Sequence, residues 1–405
     1  MCADPAALAR ASPWGAALLR AHMRRAPGAC SKSAADNAGA GLYEMRHLQS
    51  WARIGRVQDK VSSDGKLHHE DLEIGKPYDC GSKTVTKDEI IAFGRAWDPQ
   101  PLHVDEEAAK LTLVGGLCAS GWHTCMMMMR LVADGMLNRT ASLGAPSVDE
   151  GRWMVPVRPG DIINCRYTIE EKRDLASRPD VGMSKVLVEM RNQKGETAAN
   201  WRTNQLVRRR HPGPAPVSPG PKRERKAIAS VWDEPGTASP LRPDFFFEDR
   251  RIGELTDMGT HTFGKDEMIA FARQFDPQPF HLDEVAAKAS LFGALCASGW
   301  HTAAYCIRGN ITSRLRGNDQ ARAQGARIAA YGPSPGFRDL AWYKPVYVGD
   351  MLEYRGRLAK KIDLKSRPDR GIIATDIQAR NQKGEIVFAV TTQILAERHE
   401  PYRPS

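Results

Sequence analysis

A chain of 405 residues, 41% of them hydrophobic, can bury two ordinary cores, and nowhere does it approach the roughly 20 consecutive apolar residues of a membrane-spanning helix. Its net charge of +10 sits mostly in residues 1–60, with nine Lys/Arg against four Asp/Glu, and in residues 208–226, with seven against one; the near-neutral remainder offers no basic face to a nucleic acid. Eight cysteines without a CxxC pair or a metal-ligand spacing read as reduced thiols of a soluble, cytoplasmic protein, with no metal and no redox cofactor expected.

In chain order, residues 1–70 form an N-terminal extension, rich in Ala and Arg and punctuated by Gly and Pro, that is expected to be disordered or targeting-like. A short amphipathic helix over Ala6 to Arg25 would suit an organelle-targeting segment; an upstream start, with ordered structure beginning near Leu72, fits equally well. Lys87 to Ala96 carries charge in its first turn and apolar residues at helical spacing, and Pro99 stops it. Glu106 to Leu111 suits another short helix. Ala119, Ser120 and Gly121 then lead into Trp122 to Met136, an apolar run with four successive Met residues that reads as a buried central helix, Met being core filler far more often than part of a cofactor site. From Asp161 the pattern becomes strands: Ile162 to Lys172, Lys185 to Arg191 and Thr197 to Val207, with reversals at Ser177–Asp180 and Asn192–Gly195. A long helix followed by antiparallel strands implies an α+β domain whose sheet wraps the helix.

The chain then repeats itself. Asp98 to Thr124 and Asp276 to Thr302 share 20 of 27 positions at an offset of 178, and the later strands recur at an offset of 189, which places an 11-residue insertion within Gly309 to Leu340. A unit this long is a domain rather than a solenoid repeat. The expected division is an extension over 1–70, a first domain over 71–210, a Pro/Gly-rich basic linker over 211–242 and a second domain over 243–400.

Each copy places an Asp and a His five residues apart, Asp98 with His103 and Asp276 with His281, and eighteen residues after the His a glycine, Gly121 or Gly299, preceded by small residues. A carboxylate and an imidazole are acid/base groups, prolines at 99 and 101 and at 277 and 279 stiffen the turn between them, and a glycine at a helix start can offer its amide to an oxyanion. The plain alternative is that the Asp closes a turn and the His is a satisfied, half-buried residue. Asp105 and Asp283 either orient the His or cap a helix, while His123 and His301 either face the pocket mouth or pack behind the turn. Cys118 and Cys296, in small apolar surroundings, read as buried packing residues rather than nucleophiles. Arg178 and Arg367 are either solvated turn residues or contacts for a phosphate.

The order Asp-x-x-Pro-x-His-x-Asp-x-x-x-Ala, then a small-residue Gly turn opening an apolar helix, then Pro-Val-x-x-Gly-Asp at a strand start, resembles the MaoC-like dehydratase family, which includes the (R)-specific enoyl-CoA hydratases. The resemblance covers about residues 72–207 and 243–397. It departs from the family where Gln100 or Gln278 stands in place of the usual Asn, and where Met129 or Ile307 stands in place of a Ser in the central helix. It implies two hot dog domains paired within one chain, with a homodimer of chains as a further option. It also implies reversible hydration of a trans-2-enoyl-CoA to the (R)-3-hydroxyacyl-CoA, with Asp98, His103, Asp276 and His281 catalytic and Gly121 and Gly299 as oxyanion donors. Coenzyme A thioester would be the substrate, and no cofactor is implied. With Asp and His in both halves, two competent sites are expected unless the insertion occludes one. A hot dog thioesterase and a non-catalytic acyl-thioester-binding protein are the alternatives; the thioesterase lacks its usual helix-borne carboxylate between Trp122 and Met129.

Overall fold

The computed structural model describes residues 65–175, 177–213 and 228–403. The Ala6 to Arg25 segment lies outside the described residues. The first half runs β1 (Pro77–Thr84), α1 (Lys87–Trp97), α2 (Pro101–Val104), α3 (Glu106–Lys110), α4 (Gly121–Gly135), β2 (Ser147–Trp153), β3 (Ile162–Leu175), β4 (Arg178–Arg191) and β5 (Thr197–Arg208). The second repeats the order as β6 (Leu255–Thr262), α5 (Lys265–Phe275), α6 (Pro279–Leu282), α7 (Glu284–Lys288), α8 (Gly299–Ala323), β7 (Gly336–Trp342), β8 (Met351–Asp363), β9 (Arg370–Asn381) and β10 (Ile386–Glu397).

The ten strands form one antiparallel sheet in the order β1-β3-β4-β5-β2-β7-β10-β9-β8-β6. Each half contributes five, and the halves meet where β2 pairs with β7, Val148 opposite Leu340 and Gly151 opposite Phe337. This is the α+β double hot dog architecture. Burial alternates along β4 and β5 with period two, so one face of the sheet is turned inward. Against it lies α4, whose Met126, Met127 and Met128 are all buried; three successive buried positions mean that the helix is enclosed on every side.

One hydrophobic core runs through both halves. Aromatic side chains cross between them: Trp97 meets Phe271 edge-on at 5.7 Å, Trp122 stacks on Phe337 at 4.9 Å, and Trp201 lies 5.1 Å from Trp300. Such pairs contribute roughly 0.5–1.5 kcal/mol each beyond the area they bury.

Strands β1 and β2 fall in segments from which the sequence pattern drew no strand, and β4 begins at Arg178 rather than Lys185. β1 is bent by a register shift between Asp79 and Ser82, and β2 by one between Val148 and Glu150, so neither keeps the alternation that marks a regular strand. The insertion of the second copy lengthens its central helix: α8 has 25 residues where α4 has 15. Residues 228–242, placed with the linker by composition, lie against the second half, where Val231 is fully buried and Trp232 is covered by the guanidinium groups of Arg355 and Arg380. Among the described residues no helix is long and apolar enough to cross a membrane.

Candidate active site

In each half, α1 or α5 ends at the candidate carboxylate. A capping box, Thr86 with Glu89, starts α1, and Asp98 terminates it by donating its N–H to the Gly94 carbonyl at 2.9 Å. The prolines at 99 and 101 then turn the chain so that α2 carries His103 back toward Asp98. The same turns are made around Asp276 and His281.

The two acid/base pairs come together almost identically. His103 Nε2 lies 3.6 Å from Asp98 Oδ2, and His281 Nε2 lies 3.5 Å from Asp276 Oδ2. The gaps are too long for a strong direct hydrogen bond. The other ring nitrogen of each His, Nδ1, donates to a carbonyl at 2.8 Å, Cys118 for His103 and Cys296 for His281. A carbonyl only accepts, so the hydrogen resides on Nδ1 and the neutral ring presents a lone pair at Nε2. With the ring neutral, carboxylate and imidazole face each other as two acceptors across a gap.

Two polar residues given no catalytic part in the sequence reading hold the carboxylate in place. Ser120, the N-cap of α4, donates its hydroxyl to Asp98 Oδ2 at 2.6 Å while accepting the Trp122 N–H at 3.2 Å; Ser298 does the same for Asp276 and Trp300. Gln100 and Gln278 donate to the Oδ1 atoms of Asp98 and Asp276, both at 2.9 Å. The signal for the serines was present, since Ser120 and Ser298 lie inside the repeated segment, but a cap alone accounts for a Ser before a helix.

Gly121 and Gly299 are the first residues of α4 and α8, so their N–H groups have no intrahelical acceptor and sit at the positive end of the helix dipole. A side chain is excluded here for a reason invisible in the sequence: a Cβ on Gly121 would lie 2.5 Å from the Trp153 ring, and one on Gly299 2.4 Å from the Trp342 ring. Both glycines line the same cavities as their acid/base pairs. Asp98, His103 and Gly121 line a cavity of about 480 Å³, and Asp276, His281 and Gly299 one of about 250 Å³.

Each cavity is closed by the opposite half. The first is walled by Ile307, Asn310, Ile311 and Arg314 of α8, the second by Met129 and Val132 of α4 with Tyr167, Val188 and Trp201 of the first sheet. The insertion does not fill the first cavity, which is the larger of the two.

Other repeated residues have structural roles. Asp105 and Asp283 cap α3 and α7, accepting from Ala108 N–H at 2.9 Å and Ala286 N–H at 2.8 Å. His123 stacks on Phe93 at 4.5 Å and His301 on Phe271 at 4.3 Å, both buried. Burial pushes the Cys118 thiol up to about 11 and the Cys296 thiol up to about 12, so both are protonated at neutral pH and neither is an activated nucleophile. Arg178 pairs with Asp180, and Arg367 with Asp369, in exposed hairpins.

Comparison with known proteins gives this arrangement a family. The MaoC like domain matches twice, over residues 70–190 and 249–377. An uncharacterized protein, YdeM, of Bacillus subtilis (strain 168) is 28% identical over 141 residues, 35% of this chain and 98% of that protein. Among solved structures, a MaoC domain protein dehydratase from Chloroflexus aurantiacus J-10-fl superposes with a TM-score of 0.65 at 16% identity, covering 84% of this chain and 100% of its own. A conserved hypothetical protein of Mycobacterium tuberculosis, described as having a double hotdog fold, does so with a TM-score of 0.57 at 13% identity, covering 82% and 99%. With the domain present twice and spanning more than half of its length, the chain belongs to the MaoC-like domain family as a tandem double hot dog protein.

Proposed function

We propose that the protein is a hydro-lyase acting on acyl-CoA thioesters, adding water to a trans-2-enoyl-CoA to give the (R)-3-hydroxyacyl-CoA, or running the reverse dehydration, at two sites per chain. The observation that carries this reading is the gap between two acceptors, repeated at 3.6 Å and 3.5 Å, beside a helix-terminal glycine amide in a cavity. A water held in that gap donates one hydrogen to the Asp and one to the His, which turns its lone pairs outward to C3 of the substrate. As the O–C3 bond forms, the pair takes one proton from the water, and the alkene electrons move onto the thioester oxygen, where the Gly121 or Gly299 N–H stabilises the developing charge. When the enolate collapses, the pair returns the proton to C2. Atoms and charge balance with no cofactor. Ser120 and Gln100, or Ser298 and Gln278, fix the carboxylate so that its orientation is established before substrate arrives.

The test is loss of enoyl absorbance with trans-2-enoyl-CoA substrates for the wild type, Asp98→Asn, Asp276→Asn and the double variant. Each single variant is expected to abolish one site and spare the other, and the double variant to lose on the order of 10³-fold in kcat. Full activity in the double variant would remove the assignment, and release of free thiol without hydration would make the protein a thioesterase.

A further inference from the structure

The two cavities share their Asp, His and Gly and differ in the walls that the opposite half supplies. In the second, the opposite wall is Met129, Val132, Leu137, Tyr167, Val188 and Trp201, with Thr203 and Gln205 as uncharged polar members. At the 178-residue offset, the counterparts of Val132 and Met136 are Asn310 and Arg314, both of which line the first cavity together with Arg242. The mouth of the first cavity is marked by Leu113 and Met154, 53% and 48% exposed, whereas Arg242, Asn310 and Arg314 are 7%, 7% and 5% exposed. The polar groups are therefore buried in the cavity wall, and Arg314 reaches toward the acid/base pair, its Nη1 donating to Gln100 Oε1 at 3.3 Å.

Arg314 is accounted for. Asp244 accepts from its Nε at 2.8 Å and its Nη2 at 2.9 Å, and Asn318 adds a third hydrogen bond to the same carboxylate at 2.8 Å. Arg242 is not. Its Nε has no hydrogen-bond partner, and no carboxylate among the described residues makes an ion pair with it. Its backbone is fixed, since its N–H donates to the Ser313 carbonyl at 3.0 Å and the segment crosses α8 so closely that a Cβ on Gly317 would lie 2.6 Å from Pro243 N. Beside it, the Asn310 side-chain oxygen is also without a partner. A buried guanidinium without a direct ion-pair contact is expensive. Burial, with the neighbouring Arg314 and Arg250 and opposed by Asp244, lowers its pKa to about 9.

We infer that the first site takes an acyl-CoA that carries a second carboxylate, bound by Arg242, while the second site takes an uncharged acyl chain. The guanidinium fork matches a carboxylate in two parallel hydrogen bonds. The acyl-CoA substrate class rests on the hydratase reading above; the difference between the two cavities does not. Two sites of unlike preference would let one chain process both the monocarboxylic and the dicarboxylic member of an acyl series.

Saturated thioesters separate binding from turnover. Calorimetric titration of the full chain with hexanoyl-CoA and with succinyl-, adipoyl- and suberoyl-CoA is expected to give one site that prefers an ω-carboxylate. Arg242→Met should weaken that site roughly 100-fold and Arg242→Lys less, with hexanoyl-CoA binding at the second site unchanged as the control for folding. The inference is overturned if no ω-carboxyacyl-CoA binds more tightly than hexanoyl-CoA, or if Arg242→Met leaves its binding unchanged. It is also overturned if free coenzyme A is weakened by the same factor, because Arg242 would then hold a phosphate. Selective binding without hydration of any enoyl thioester would support the cavity assignment and remove only the hydratase reading.

Discussion

At the residue scale, the spacing of Asp98 and His103 is less informative than what holds each of them. The Cys118 carbonyl sets the imidazole tautomer, and Ser120 and Gln100 occupy one lone pair on each oxygen of the carboxylate. On the proposed mechanism Ser120 is a positioning residue, since its hydroxyl bonds Asp98. Ser120→Ala in the Asp276→Asn background is expected to lower kcat roughly 10- to 100-fold with KM nearly unchanged, because the carboxylate loses orientation and not affinity. It should also cost about 1 kcal/mol of stability through loss of the α4 cap, read as a shift in the urea midpoint. A fall in stability with kcat intact would make Ser120 a cap alone.

At the element scale, the first turns of α4 and α8 are pinned by buried histidines. His301 packs between Phe271, Trp97 and Phe263, and burial, opposed by Glu267, pushes its pKa down to about 3. His123, also held well below its ordinary range by burial, stacks on α1. Because the folded pKa lies below the unfolded value of about 6.5, the unfolded chain binds more protons between pH 6.5 and about 3. Stability is therefore full above pH 6.5 and falls by up to about 1.4 kcal/mol per pH unit, for each histidine, as the solution is acidified through that window. Urea midpoints followed from pH 7 to pH 4 should fall less steeply for His301→Phe than for the wild type. Parallel curves would show that His301 titrates alike in both states.

At the scale of the whole molecule, each cavity borrows a wall from the opposite half. The seam is the β2–β7 pair, where Gly151 faces Phe337 so closely that a Cβ on Gly151 would lie 2.4 Å from the ring. Phe337 in turn stacks on Trp122, next to Gly121. Gly151→Leu should force the strands apart, cost roughly 1–3 kcal/mol and reduce turnover at both sites together. Activity at both sites is measured by adding Asp98→Asn or Asp276→Asn to the seam variant. Loss at one site only would mean that the seam does not couple the two cavities.

The sequence by itself determined the duplication, the central helix, the three later strands and the Asp, His and Gly positions. All of these are carried by local periodicity or by repetition of a contiguous segment, which need no knowledge of distant contacts. Tertiary structure alone decided the rest. The bent strands β1 and β2 lack an alternating signature, because their register is set by partners far along the chain. Ser120 became a ligand of Asp98 across a separation of 22 residues, and Gly121 proved necessary to admit Trp153. The difference between the sites lay furthest from view, since Arg242 precedes the second half in sequence and yet reaches the cavity that holds the acid/base pair of the first. A cavity wall assembled from two halves follows from how they pack, and packing is a property of surfaces that only the folded chain brings into contact.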